Sequence, residues 1–266
     1  MCTMKPQIHW SHLSMMFRCG EQYRRRYVEN EICPPGVALL VGSATHKGVE
    51  VNMRRKLESG EAADAAAVAD AARDHVVGRW ETEGVDLDEE ERSRGEGVVR
   101  GEAVQTAVDL SLLHYREIAP KIEPTHVERP WVVELKNFHR DLAGRIDLQE
   151  RGRIRDTKTC KRTPPPTAAD DSDQLTMYAL AGSVLDGAIP ELRLDALVKL
   201  KVSKAITFST QRSAQDLAVL LRRIERFSEA LDRGVFLPAD QSNWCCDPRY
   251  CGYARTCPYH RGRVQA

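Results

Sequence analysis

With 266 residues, 42% of them hydrophobic and 29% charged, the sequence has an ordinary soluble composition and the length for one domain with elaborations. Lysine plus arginine (39) balance aspartate plus glutamate (39), so no global charge advertises a polyanionic partner and any nucleic-acid surface has to be a local patch. No apolar run approaches the roughly 20 residues that span a bilayer, which argues against a membrane protein.

From the N-terminus, Met1 to Trp10 lacks the apolar stretch of a signal peptide. The expected setting is therefore a reducing cytoplasm, of a bacterium or a phage-infected host cell. There eight cysteines suggest metal ligands or free thiols rather than disulfides. Ser11 to Glu29 reads as a helix with Leu13, Met16, Phe17 and Tyr23 as core positions. Cys19 lies inside it, and the basic aromatic run Tyr23-Arg-Arg-Arg-Tyr27 follows. Cys33-Pro-Pro-Gly36 begins a loop. Gly42-Ser-Ala-Thr-His46-Lys-Gly-Val-Glu50 reads as a loop entering a second helix that ends near Ser59-Gly60, with His46 and Glu50 on one face. An alanine-rich helix over 61–80, an acidic break at Asp86 to Glu91 and a helix over about 92–118 make residues 60–120 a helical insertion beside a cleft. Pro124 and Pro130 bracket the entry to a strand at Trp131 to Leu135.

The next stretch organises the chain. Leu142, Ile146 and Leu148 alternate with Arg145, Asp147 and Gln149, the period of a half-buried strand. Arg151-Gly152 supplies a turn and Ile154 to Thr159 the returning strand. Residues two apart share a face, so Asp156 and Lys158 point the same way, and the hairpin brings Asp147 near them. Two acids and a lysine at the end of a sheet are the minimum kit for metal-dependent phosphodiester hydrolysis. A hard cation such as Mg²⁺ or Mn²⁺ would take both carboxylates and the backbone carbonyl of Thr157. Taken alone, Asp156-Thr-Lys158 reads more simply as paired surface charges on a solvated strand.

Thr163-Pro-Pro-Pro-Thr167 is a stiff connector. Ala168 to Leu185 follows as a helix carrying Gln174 and Tyr178 one turn apart. Arg193 to Lys201 alternates as a strand with Leu194, Ala196, Val198 and Leu200 on one face, and Ile206 to Ser209 is its short partner. Ser213 to Arg233 has apolar residues at helical spacing and Gly234 closes it. This order of elements implies a mixed α/β core with a helical elaboration.

Gly144-x-x-Asp147, Asp156-x-Lys158, Gln174-x-x-x-Tyr178 and Gly42-x-x-x-His46 resemble, in order and approximate spacing, the RecB-like branch of the PD-(D/E)XK nuclease superfamily. The resemblance covers most of the chain, including Ser11-His-Leu-Ser-Met-Met-Phe-Arg-Cys19 with Tyr23 and Tyr27. It implies a single α/β domain over 1–266: a restriction-endonuclease-like core, with a mixed central β-sheet flanked by helices, and an N-terminal helical elaboration. Within that domain an N-terminal helix would span 11–30, the catalytic core 126–233 and a cysteine segment 244–257. It further implies His46, Asp147 and Asp156 as metal ligands and Lys158 as the catalytic lysine. Gln174 and Tyr178 would position the phosphate backbone or the lysine.

Trp244-Cys245-Cys246-Asp-Pro-Arg-Tyr-Cys251-Gly-Tyr-Ala-Arg-Thr-Cys257 resembles the C-terminal cysteine cluster of iron–sulfur nucleases in this branch, the Cas4-like and AddB-like proteins and related phage exonucleases. That pattern implies a 4Fe–4S cluster held by Cys19, Cys246, Cys251 and Cys257, joining the two ends of the chain. Cys245 competes with Cys246, while Cys2, Cys33 and Cys160 fall outside the pattern as free thiols. Zn²⁺ is the alternative, although the spacing lacks the paired Cys-x₂-Cys knuckles of zinc ribbons. Arg24 to Arg26, Arg151 to Arg155, Lys161-Arg162 and Lys199 to Lys204 could line a groove for a DNA backbone. Tyr23, Tyr27, Tyr250 and Tyr253 could stack unpaired bases.

The expected function is a metal-dependent DNA exonuclease acting on ends or single strands. It could work as a homo-oligomer or with a recombination or CRISPR-type protein partner. The alternatives are a non-catalytic DNA-binding subunit with a nuclease fold and a zinc-stabilised interaction module.

Overall fold

The computed structural model describes residues 5–136 and 138–261; Cys2 lies outside them. Among the described residues a six-stranded mixed sheet is flanked on both faces by helices, which is the expected class. The strands are β1 (Gln7–Ile8), β2 (His126–Val133), β3 (Asp141–Glu150), β4 (Arg153–Cys160), β5 (Glu191–Val198) and β6 (Lys204–Thr210). The helices are α1 (Trp10–Arg18), α2 (Gly20–Tyr23), α3 (Val37–Ser59), α4 (Ala65–Glu83), α5 (Glu89–Arg94), α6 (Glu96–Glu117), α7 (Asp173–Asp186) and α8 (Ala214–Asp232). One apolar cluster joins α1, α7 and α8 to one sheet face through Leu13, Leu175, Ile224 and Ile154. A second joins α3, α4 and α6 to the other face through Leu40, Val76, Leu110 and Leu148.

Strand pairing creates an opening in this sheet. β2 pairs antiparallel with β3 from Val133–Leu142 to His126–Gln149, filling one edge of β3. The other edge is shared: β1 takes Asp141 and Leu142, and β4 takes only Leu148 to Glu150. Between them β3 has no neighbour, because β4 leaves it after Arg155 and continues parallel to β5. Asp147 and Asp156 are the first residues past this fork.

Several expected boundaries move, each for a local reason. The helix expected over Ser11 to Glu29 is broken at Cys19, which is extended (φ −162°, ψ 110°), and resumes at Gly20. A Cβ on Gly20 would lie 2.6 Å from the Leu237 backbone nitrogen, and the Gly20 N–H donates to the Leu237 carbonyl at 2.7 Å. The break thus clamps the C-terminal segment onto the N-terminal one. The loop expected at Gly42 to Glu50 is the interior of α3; Gly48 is there for contact, since a Cβ would meet Ser111 Oγ at 2.6 Å. α7 begins at Asp173, not Ala168, because the Ser172 hydroxyl accepts the Leu175 N–H as a cap. The turn before it is held by the Arg212 guanidinium, which donates to the carbonyls of Ala169, Asp170 and Ser172.

β2 starts five residues earlier than expected and tolerates Pro130 because it pairs with β3 alone. β5 ends at Val198 and is buried on both faces, with Leu194 in one cluster and Leu197 in the other, while Leu200 is exposed. The alternation expected along β3 also fails at one point. Ile146 packs into the first cluster but Leu148 into the second. The facing reverses across Asp147, opposite which Glu128 has φ +53°.

Candidate active site

Four elements deliver side chains to the fork. β3 brings Asp147, β4 brings Asp156 and Lys158, α7 brings Gln174 and Tyr178, and α3 brings His46. Lys158 Nζ donates to Asp156 Oδ1 at 2.8 Å and to Gln174 Oε1 at 2.9 Å. Gln174 Nε2 donates to the Tyr178 hydroxyl at 3.0 Å, and that hydroxyl donates to Asp147 Oδ1 at 3.1 Å. His46 Nδ1 lies 3.4 Å from Asp147 Oδ2. The result is one polar chain: Asp156, Lys158, Gln174, Tyr178, Asp147, His46. Gln174 and Tyr178 can both take part because residues four apart stack on one helix face.

Burial and charge set these groups apart. Asp156 is fully buried, and its Oδ2 has no hydrogen-bond partner among the described residues. Burial, reinforced by the Asp147 charge and opposed by Lys158, pushes its pKa up to about 6. An orphaned carboxylate oxygen at zero exposure is costly, and a cation is the group that offsets it. Desolvation alone would lower the Lys158 pKa, but the Asp156 and Asp147 charges outweigh it and leave it raised, so the ammonium stays charged. Burial and the same two carboxylates raise Tyr178 well above the usual phenol range, which keeps its proton available to Asp147.

Thr157 is buried with its backbone in the β4–β5 pairing, opposite Asp195, and its side chain faces away from Lys158. Among the described residues no three His, Cys, Asp or Glu side chains are gathered tightly enough to grip a single ion. His46 and Asp147 touch, whereas Asp156 is drawn toward Lys158. The donor chemistry nevertheless fits a hard cation: two carboxylates, one with an unsatisfied oxygen, and an imidazole.

Glu128 is a group at this site that the sequence did not point to. Its carboxyl pKa is raised by burial and by the charges of Asp147 and Glu50. Its left-handed backbone belongs to a region that non-glycine residues enter sparingly. No local sequence signal marks it.

The cysteines expected to act together do converge. Cys19, Cys246, Cys251 and Cys257 line a single cavity with Gln22 and Tyr253. Cys245 is not in its wall; the Cys245 thiol points to the Arg18 carbonyl at 3.8 Å. The Ala239 N–H donates to Cys19 Sγ at 3.4 Å. Burial and the neighbouring thiols raise the Cys246 and Cys251 pKa values, a repulsion that a bound metal centre would reverse. None of the seven described cysteines is in a disulfide. Cys33 does not line this cavity but packs against Cys251 and Tyr253 beside it, while Cys160 sits beside the Lys158 carbonyl at 4.0 Å.

Some expected DNA contacts are withdrawn by the structure. Arg155 is buried, held by Glu150 and Asp195, on the sheet face away from α7. Arg153 is spent on Glu191, and Arg24 and Arg25 on Glu21. Tyr23 and Tyr253 are buried, which leaves Tyr27 and Tyr250 exposed.

Comparison with known proteins agrees with this geometry. A family model described as the PD-(D/E)XK nuclease superfamily matches residues 10–258. No curated protein matches the chain. A crystal structure described as a "Putative exonuclease" from Eubacterium rectale is similar in fold, with a TM-score of 0.58 at 13% identity, over 98% of this chain and 89% of that one. Among the described residues no helix is long and apolar enough to cross a membrane.

Proposed function

This chain belongs to the PD-(D/E)XK nuclease superfamily, and on that footing we propose that it is a metal-dependent DNA exonuclease of the RecB-like, iron–sulfur type, acting on DNA ends or single strands. The observation that carries the reading is the polar chain from Asp156 to His46 built around an orphaned, fully buried carboxylate oxygen. Asp147 and Asp156, with His46 beside them, would hold Mg²⁺ or Mn²⁺. When bound, such an ion supplies charge to the scissile phosphate and lowers the pKa of a water.

The protein's own groups do the rest. Lys158 presents a charged ammonium where negative charge develops on the phosphate, an interaction that strengthens toward the transition state. Asp156 keeps that ammonium in place from one side and Gln174 from the other. Tyr178, held neutral, donates to Asp147 and fixes which of its oxygens faces His46. Gln174 can serve both neighbours only with its carbonyl toward Lys158 and its amide toward Tyr178.

Cys19, Cys246, Cys251 and Cys257 fit a 4Fe–4S cluster by donor type and by their shared cavity, with Cys246 favoured over Cys245. A cluster spreads its four thiolates around several irons, so it does not need them gathered as tightly as a single zinc ion would. Its role would be structural, joining the chain ends beside the nuclease core.

The activity test is digestion of end-labelled single- and double-stranded DNA with Mg²⁺ or Mn²⁺. Wild-type protein should release short products from ends, and Lys158→Ala should be slower by about 10²–10³-fold. Equal activity in Lys158→Ala overturns the mechanism, and binding without cleavage under either metal points to a non-catalytic subunit. Protein purified without oxygen should be brown, with iron and sulfide in equal amounts; zinc without iron overturns the cluster.

A further inference from the structure

His46 does not stand alone on α3. One turn before it, Ser43 Oγ donates to the Leu40 carbonyl at 2.9 Å, which leaves its lone pairs free to accept. Two groups from α4 reach them across the helix pair: Arg79 Nη1 at 3.2 Å and His75 Nε2 at 3.1 Å. Lys47 follows Ser43 by four residues, so it lies on the same helix face and next to His46. Its charge, with that of Arg79, bears on His75, whose pKa is lowered by burial first and then by those two cations.

The two cations are anchored differently. Lys47 meets Glu50 by a single pair and is 45% exposed, whereas Arg79, 31% exposed, is held by Glu83 through both Nε and Nη2 and keeps Nη1 on Ser43. A single exposed pair such as Lys47–Glu50 is weak and exchanges readily for a stronger anion. A phosphate oxygen offers a better partner, because guanidinium and ammonium donors bind it with charge assistance. The chain has no net charge to attract DNA as a whole, so backbone contacts have to come from a local patch such as this one. Two cations from two helices, Lys47 next to His46 on α3 and Arg79 of α4 bonded to Ser43 one turn before it, therefore sit beside a candidate catalytic residue.

We propose that Lys47 and Arg79, the latter docked on Ser43 beside His75, form a contact surface for the DNA backbone, through which α4 of the helical insertion guides the strand toward His46 and Asp147. This rests on the nuclease reading above. It adds a task for the helical insertion: α4 contributes grip where the core contributes chemistry.

The test is DNA binding in a Lys158→Ala background, where cutting is suppressed, with a fluorescent single-stranded oligonucleotide and its duplex titrated from low to moderate salt. Each lost phosphate contact flattens the slope of log affinity against log salt by about 0.9 on duplex and about 0.7 on a single strand. Adding Lys47→Ala and Arg79→Ala together should therefore flatten it by roughly 1.8 or 1.4, equally for unrelated sequences. Arg79→Lys should restore most of its share, and Arg73→Ala, an exposed arginine of α4 paired within its own helix, should leave the slope unchanged. An unaltered slope in the double variant, with binding by the Lys158→Ala parent intact, overturns the surface. No binding by the parent to either probe instead overturns the DNA reading, and this surface with it.

Discussion

Lowering the pH should destabilise this protein through one buried histidine, and substitution of that residue should remove the effect. His114 on α6 has no exposed surface, and neither ring nitrogen has a hydrogen-bond partner among the described residues. Burial, with the Arg155 and His46 charges added, depresses its pKa from 6.5 to about 3. In the folded protein the ring therefore stays neutral across the mild acid range, whereas in the unfolded chain it takes up a proton below pH 6.5. Its contribution to stability is intact above pH 6.5 and is lost as pH falls toward 3. Each pH unit in that window costs about 1.4 kcal/mol, so between pH 7 and pH 5 the loss is about 2 kcal/mol.

Urea denaturation of wild type and His114→Leu at both pH values, on preparations of equal iron content, isolates the term. Other titrating groups, His12 and Asp156 among them, shift both proteins alike. The wild type should lose about 2 kcal/mol more than the variant between pH 7 and pH 5. The same loss in both would refute the assignment of a neutral, buried imidazole.

Three further outcomes follow from single features. Asp156, its pKa raised to about 6, competes for a proton where a cation would bind, so activity at limiting Mg²⁺ should fall below pH 6 and recover on adding more Mg²⁺; an acid limb that ignores Mg²⁺ concentration assigns it to another group. In the cation-free protein the same shift has the opposite consequence, stabilising the fold as pH falls from 6 toward 3.8. Gly20→Ala places a methyl 2.6–2.8 Å from the Phe236 and Leu237 backbone, which should cost about 1–3 kcal/mol and reduce iron incorporation; an unchanged melting temperature and iron content would count against the clamp. Arg212→Met strands the carbonyls of Ala169, Asp170 and Ser172 ahead of α7 and should cost about 3 kcal/mol or more, read from the urea midpoint.

Where sequence reading succeeded, it relied on periods that local chemistry enforces. Asp156 and Lys158 had to share a face because strands alternate, and Gln174 and Tyr178 because helices return every four residues; both pairs meet as expected. Cys19 could be grouped with Cys246, Cys251 and Cys257 only through resemblance, since more than 200 residues separate them and no local period links them. The misses share a cause: each boundary was decided by a partner distant in sequence. Gly42 and Gly48 looked like loop residues because glycine is costly in a helix, yet Gly48 is required where α3 crosses Ser111. The turn that delivers the Ser172 cap of α7 is held by Arg212, and the break at Cys19 is fixed by Leu237.

The reversal in β3 bears most directly on the site. A uniform alternation would have kept Leu148 on the face of Ile146, but Leu148 turns to the other face, and its pairing with Arg155 is the last between β3 and β4 before the positions of Asp147 and Asp156. The local reversal at Asp147, with Glu128 in a left-handed conformation across from it, coincides with the point where β3 and β4 separate. Backbone strain of this kind persists only where surrounding structure holds it, and here it is held by β2–β3 pairing on both sides of Glu128. The opening that admits α7 on one face and His46 on the other thus belongs to the strand geometry itself. Its sequence signature is no more than one glutamate facing one aspartate.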